Sequence, residues 1–255
     1  MNLYEALDSK LLTFFGLIEL LLLFGCAQPK LTITKHTEQF YTVNGNQGKD
    51  SLMQAFLSSY KKRVDTIMQE ILVYSDVPLT KAQPECTMGN LIADAQLVSA
   101  KKIDSTVAVS VVNYGGVRIN FLAAGAITRG LVYEIMPFEN KIAIVSLSGL
   151  QIQTMCDQIA LRKGWPIAGL SFQIKDKKAV HIQINGQPIN DSYMYKVAIN
   201  DYVARGGDNF EFMQKASKRF TDMLIRDAII EYLVAINQQH KVYHIELENR
   251  ISYAE

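Results

Sequence analysis

Histidine is scarce in this 255-residue chain: His36, His181, His240 and His244 are the whole supply, and none stands in an Asp-x-His or Gly-Asn-His pattern. A two-metal hydrolytic centre needs several oxygen and nitrogen ligands converging on ions about 4 Å apart. The histidines offer no such set. His240 and His244 lie four apart, but "KVYHIE" has the composition of a strand, in which four residues span about 13 Å. A Ser-His-Asp arrangement and a phosphate-binding P-loop are also lacking. Cysteine is sparse too, with Cys86 and Cys156 the two in the folded part, and they are expected as free, buried thiols. Lys and Arg number 26 against 25 Asp and Glu, a net charge of +1, and no basic run occurs. That balance excludes a nucleic-acid polymer as partner and leaves room for one small anionic ligand.

Long apolar runs are few as well. The run from Leu11 to Gly25 is broken by Thr13 and Glu19, which makes it short for a membrane span of about 20 residues. With Lys10 as a thin positive flank it reads as a secretory signal over residues 1–25. Its ending, "LFGC", resembles the lipobox of bacterial lipoproteins. The resemblance implies that Cys26 carries the lipid, and that the chain is exported and anchored in a bacterial cell envelope, in the periplasm or on the outer membrane. An ordinary signal or a misplaced start codon is the alternative.

What is present is a globular sequence, 49% hydrophobic and 20% charged, long enough to bury a core. Residues 26–48 are polar and aperiodic, a tether, and the folded domain is placed at 49–255. Leu52, Phe56, Tyr60, Val64, Ile67 and Ile71 recur every three to four residues, predicting an amphipathic helix capped by Asp50 or Ser51 and stopped before Pro78. A second helix opens near Thr87. "STVAVSVVN" and "KIAIVSLSG" are buried-strand runs, and Ser148 then caps a helix closed by Gly164. A β-rich stretch follows, "LSFQIKD", "AVHIQING", "QPIN" and "SYMYKVAIN", with Asn185-Gly186 as a type I′ hairpin turn. A last helix is expected from about Thr221 to Asn237, then a strand-like "KVYHIELE". Strands and helices mix without regular alternation, so the class is α+β, a mixed sheet with packed helices.

Three loops place special backbone residues beside polar or aromatic ones: "NYGGVR" at 113–118, "PFEN" at 137–140 and "DYVARGGDNF" at 201–210. Each alone has an ordinary use. Phe138 and Tyr202 could be core rings, Asp208 could form an Asx turn and Asn113 a turn ahead of glycines, and Arg118 could pair with a nearby acid.

Taken in order, these loops resemble the C-terminal domain of the 5′-nucleotidases, the UDP-sugar hydrolases included, over roughly residues 70–235. The family's Glu, "GNL" and "DA" run is matched by Glu85 and "MGNLIADA" (88–95). Its "N-x-G-G-[IV]-R" is matched by Asn113 to Arg118, its "G-x-[IL]-T" by "GAIT" (125–128), and its "PF-x-N" by Pro137 to Asn140. Its "GGD" with a preceding aromatic is matched by Tyr202, Gly206, Gly207 and Asp208.

The resemblance implies a nucleotide or nucleoside ligand, with the base clamped between Phe138 and Tyr202. Asp208 would accept from the ribose hydroxyls, Arg118 would meet phosphate, and Asn113 would reach the base edge. Tyr202 stands where the family usually has Phe, and where an arginine commonly sits just before the Glu, "TKAQPECTMGN" has Pro84, with Lys81 the nearest cation. Family enzymes also place a two-metal phosphoesterase domain before this one, and nothing here replaces it. The resemblance therefore implies no catalytic and no metal-ligating residue in this chain, which is not expected to be active alone. It implies a specificity module of a split phosphohydrolase, with divalent metals on a partner metallophosphoesterase chain and the membrane as a further partner through the lipid anchor. A surface lipoprotein that only binds a nucleoside is the alternative, and a structural domain that has lost its ligand is a third reading.

Overall fold

The computed structural model describes residues 35–42 and 50–255. Cys26, the signal segment and most of the tether lie outside them. The chain divides into two units, Met1–Asp50 and Ser51–Glu255. In the first, residues 35–42 are exposed and without regular structure. No helix among the described residues is long and apolar enough to cross a membrane.

The second unit opens with α1 (Ser51–Met68), then β1 (Ile71–Ser75), β2 (Leu79–Thr80), α2 (Thr87–Ile103), β3 (Val107–Val111), β4 (Phe121–Leu122) and β5 (Gly125–Thr128). There follow α3 (Arg129–Ile135), β6 (Lys141–Ser148), α4 (Gly149–Leu161), β7 (Ile167–Ala168), β8 (Leu170–Lys175), β9 (Lys178–Ile184), β10 (Gln187–Pro188) and β11 (Met194–Asn200). The chain closes with α5 (Asp201–Ala204), β12 (Lys218–Leu224), α6 (Ile225–Gln238) and β13 (Ile251–Tyr253). The architecture is α+β, built on a five-stranded sheet of order β12-β6-β11-β3-β7 and a four-stranded sheet of order β10-β9-β8-β13.

The five-stranded sheet is buried on both faces because its middle strands carry apolar residues at successive positions. Ile142 and Ile144 of β6 and Ala198 of β11 enter one core with α2 and α6. Ala143, Val145, Leu147, Val197 and Ile199 enter the other, with α4 and the four-stranded sheet. Alternate residues of a strand face opposite sides, so one strand pair walls two cores. Ser148 caps α4 through a full capping box with Gln151. Asn185 and Gly186 turn at φ 50° and 75° between β9 and β10, as the I′ hairpin requires.

Four local expectations need correction. The first helix ends at Met68, and Ile71 instead heads β1, whose Ile71 and Val73 pair with β5. No residue of α1 is buried, although its apolar spacing is that of a core-facing helix. The span 218–224 is a strand because Lys218, Arg219 and Phe220 pair with β6, so the last helix starts at Ile225 rather than Thr221. "QPIN" pairs only over Gln187–Pro188. "KVYHIELE" alternates, with Tyr243 and Ile245 buried and Val242 and His244 exposed, yet it makes one isolated bridge, Tyr243 to Ser75. Cys86 and Cys156 are free and buried, and burial pushes the Cys156 thiol far up.

Candidate nucleotide-binding site

Strand directions bring the three loops to one edge of the five-stranded sheet. β3 runs parallel to β11, so the segments after Val111 and after Asn200 leave on the same side. β6 runs antiparallel to β11, with Asn200 opposite Ile142, so the segment that enters β6 arrives there too. These are the segments carrying Asn113 to Arg118, Tyr202 to Asp208, and Phe138 to Asn140. They line a cavity of about 330 Å³ bounded by Asn113, Gly115, Gly116, Phe138, Asn140, Tyr202 and Asp208. Cavities of about 370 and 450 Å³ open elsewhere. Size does not single this one out; the meeting of the motif loops does.

Both rings are half-exposed, Phe138 at 40% and Tyr202 at 49%, so each keeps surface open at the cavity. Behind them runs a chain of amides. Asn200 accepts from the Val203 backbone N–H at 2.7 Å, capping α5, and donates to Asn113 Oδ1 at 2.6 Å. Asn113 in turn donates to Asp208 Oδ2 at 2.8 Å. Asn113 is thus engaged at both ends of its amide and 8% exposed, with one N–H left for a ligand. The Tyr202 hydroxyl donates to Asp208 Oδ1 at 3.3 Å.

Arg118 lies at the rim, exposed, with its guanidinium 5.4 Å from the Phe138 ring centre and donating to the Gly115 carbonyl at 3.3 Å. Lys81 lies beside it. Its ammonium donates to the Val117 carbonyl at 2.8 Å and sits 4.1 Å over the Tyr114 ring. Burial first, and then the Arg118 cation, hold the Lys81 pKa below the ordinary lysine value. Arg118 thus sets one cation against the Phe138 ring at the edge of the aromatic cavity, which suits an anionic group attached to a flat apolar one.

Among the described residues no group of three or more His, Cys, Asp or Glu side chains could hold a metal ion.

A family model described as "5′-nucleotidase, C-terminal domain" matches residues 65–215, more than half of the chain. The chain belongs to this family. It is 30% identical over 208 residues to the trifunctional nucleotide phosphoesterase protein YfkN of Bacillus subtilis, covering 73% of this chain and 13% of that protein. It is 24% identical over 248 residues to a 5′-nucleotidase of Diplobatis ommata, covering 84% of this chain and 42% of that one. Among solved structures, the 5′-nucleotidase precursor of Thermus thermophilus superposes with a TM-score of 0.68 at 24% identity, covering 81% of this chain and 44% of that one. The chain spans less than half the length of each of these relatives.

Within this 5′-nucleotidase C-terminal domain the first motif does not line the cavity. Glu85 accepts from Asn90 Nδ2 at 2.7 Å and from the backbone N–H groups of Glu248 and Arg250 at 2.9 and 3.0 Å. Asp94 takes a bidentate pair from Arg250 at 2.7 and 2.9 Å. The motif fastens the C-terminal segment instead. Sequence reasoning also left Asn140, Asp201, Asn200 and Arg162 without roles. Asp201 Oδ1 accepts from Asn140 Nδ2 at 3.1 Å and from the Lys141 N–H at 3.2 Å, tying the Phe138 loop to the Tyr202 helix. Arg162 Nη2 donates to the Asp208 carbonyl at 2.6 Å. Asn200 was detectable as an N-cap residue before "DYVA"; Arg162, 46 residues from its partner, carries no local signal.

Proposed function

We propose that this chain is the nucleotide-binding, substrate-specificity module of a split 5′-nucleotidase-like phosphohydrolase whose two-metal catalytic domain is a separate chain. The observation that carries the reading is the cavity itself: two half-exposed rings, Phe138 and Tyr202, beside a held carboxylate, Asp208, with the Arg118 guanidinium against the Phe138 ring. Rings stack on any base, and the guanidinium suits a phosphate. The membership in a family with nucleotidase relatives supports the ligand class. In this reading the metal ligands lie outside the described residues, which hold no cluster of side chains able to bind a metal ion. Export and lipidation at Cys26 belong to the same proposal; a cell wall protein of Listeria monocytogenes, 28% identical over 219 residues, is in keeping with export.

Calorimetry with adenosine and AMP tests the binding half. Phe138→Ala and Tyr202→Ala should each weaken binding by about 1 to 3 kcal/mol, a fivefold to hundredfold loss; unchanged affinity in both would sink the nucleotide reading. Phosphate release from AMP with Mn²⁺ tests the division of labour. The purified chain alone should release none, and clear turnover by it would overturn the split arrangement. Tight binding with no stimulation of any phosphoesterase chain would favour a nucleoside-binding lipoprotein instead.

A further inference from the structure

Tyr202 does more than present a ring. Its hydroxyl donates to Asp208 Oδ1 and accepts from the Asp208 backbone N–H, both at 3.3 Å. The ring lies flat against Gly207: a Cβ there would stand 2.5 Å from ring carbons Cε1 and Cζ. Gly206, at φ 98°, turns the chain just before, and Asp208 follows in the left-handed region at φ 54°, ψ 31°, which aspartate enters more readily than most side chains. Three elements hold it. Asn113 grips Oδ2, Arg162 grips the carbonyl, and Tyr202 grips Oδ1 and the amide.

A carboxylate has about four lone-pair sites. Asn113 and Tyr202 occupy one on each oxygen, which leaves two, the number of donors on a vicinal diol. We propose that the Tyr202 hydroxyl is a specificity-determining group for the sugar. By fixing the carboxylate it turns the two free acceptor sites toward a cis-diol, so the site prefers ribonucleosides to 2′-deoxyribonucleosides. One side chain then couples base stacking to sugar reading. A phenyl ring at 202 stacks equally well but leaves Oδ1 without its donor and the carboxylate held by Asn113 alone.

This inference rests on the nucleoside reading of the cavity, and calorimetry on the full chain with adenosine and 2′-deoxyadenosine separates the two. The unaltered protein should bind adenosine the more tightly. Tyr202→Phe should cut that preference roughly three- to tenfold, the worth of one modest hydrogen bond. Gly207→Ala, whose Cβ displaces the ring, should weaken both ligands. An unchanged adenosine to deoxyadenosine ratio in Tyr202→Phe, with both still bound, would overturn the role of the hydroxyl and leave the nucleoside reading standing. Undiminished affinity in Gly207→Ala would overturn the ring's placement. Failure of the unaltered protein to bind either compound would remove the nucleoside reading and this one with it.

Discussion

Arg118 is the residue whose chemistry is most exposed to test. Its guanidinium has no carboxylate partner among its described contacts, only the Gly115 carbonyl and the face of Phe138. An arginine so placed keeps its planar fork available for phosphate oxygens. Arg118→Met, which retains much of the aliphatic stem, should leave adenosine binding close to that of the unaltered chain while lowering the preference for AMP over adenosine by about tenfold or more. Titration of both ligands into the variant checks this; an unchanged AMP preference would move the phosphate away from Arg118. Asp104 offers a residue-scale test of stability. Hydrogen bonds from Lys196 Nζ at 2.7 Å and from Thr106 tie it between α2 and β11 and hold its carboxyl down to about 2. In the unfolded chain an aspartate titrates near 3.9. The folded value is the lower one, so the contribution is complete above about pH 5 and is lost progressively as pH falls through about 2, to nothing near about pH 1. The difference in melting temperature between the unaltered chain and Asp104→Asn should therefore be full at about pH 6 and shrink to a small remainder by about pH 2. A difference as large at pH 2 as at pH 6 would show that the carboxylate charge is not its source.

At the scale of elements, the first helix and the last segment reverse what their sequences lead one to expect. α1 has the apolar spacing of a packed helix, yet Leu52 is 83% exposed and none of its residues is buried. The segment 243–250 has little regular structure, yet Glu85 and Asp94 fasten it through its backbone and through the nearly buried Arg250. Shortening the chain to begin at Ile67 should then shift the melting temperature by no more than about 2 °C, as expected where little surface is buried. It keeps Met68, the residue that abuts Gly130. Arg250→Ala should cost about 2 to 3 kcal/mol, because it strands a partly buried carboxylate. Thermal melts of the two variants settle the contrast, and equal losses in both would mean that α1 packs on something that matters to the fold. The same elements mark how far the sequence could be read. Where the signal is local, as in the helices α2 and α4 and the continuous apolar runs of β3 and β6, the sequence sufficed, and the Ser148 cap and the Asn185-Gly186 turn were legible for the same reason. It failed where the partner is distant. Thr221 to Leu224 read as the start of the last helix until β6 is there to pair with their strand. The motif loops could be found in the chain, but the amide relay from Asn200 through Asn113 to Asp208 joins residues 87 and 95 positions apart, and no spacing rule reports it.

The whole domain hangs on one sheet. Ile127 is fully buried in the core that contains α2 and α6, and Leu147 is fully buried in the core that contains α4 and the single tryptophan, Trp165. The two cores touch through β6 and β11, whose successive residues point into one and then the other. A strand cannot leave one side of a sheet and stay on the other, so the cores should melt together, as single cooperative units do. Trp165 stacks on Phe210 at 4.8 Å, which makes its fluorescence a local reporter of the second core. Leu147→Ala, in that core, and Ile127→Ala, across the sheet from it, should each cost about 2 to 5 kcal/mol. In a domain of this size that lowers the melting temperature by roughly 5 to 15 °C. The decisive measurement is the tryptophan melt of Ile127→Ala. If the sheet couples the cores, the Trp165 transition moves down with it and stays a single step. If it stays at the temperature of the unaltered chain while far-ultraviolet circular dichroism shows an earlier loss, the two cores are separate folding units. The candidate site would then rest on a sheet that can lose one of its faces.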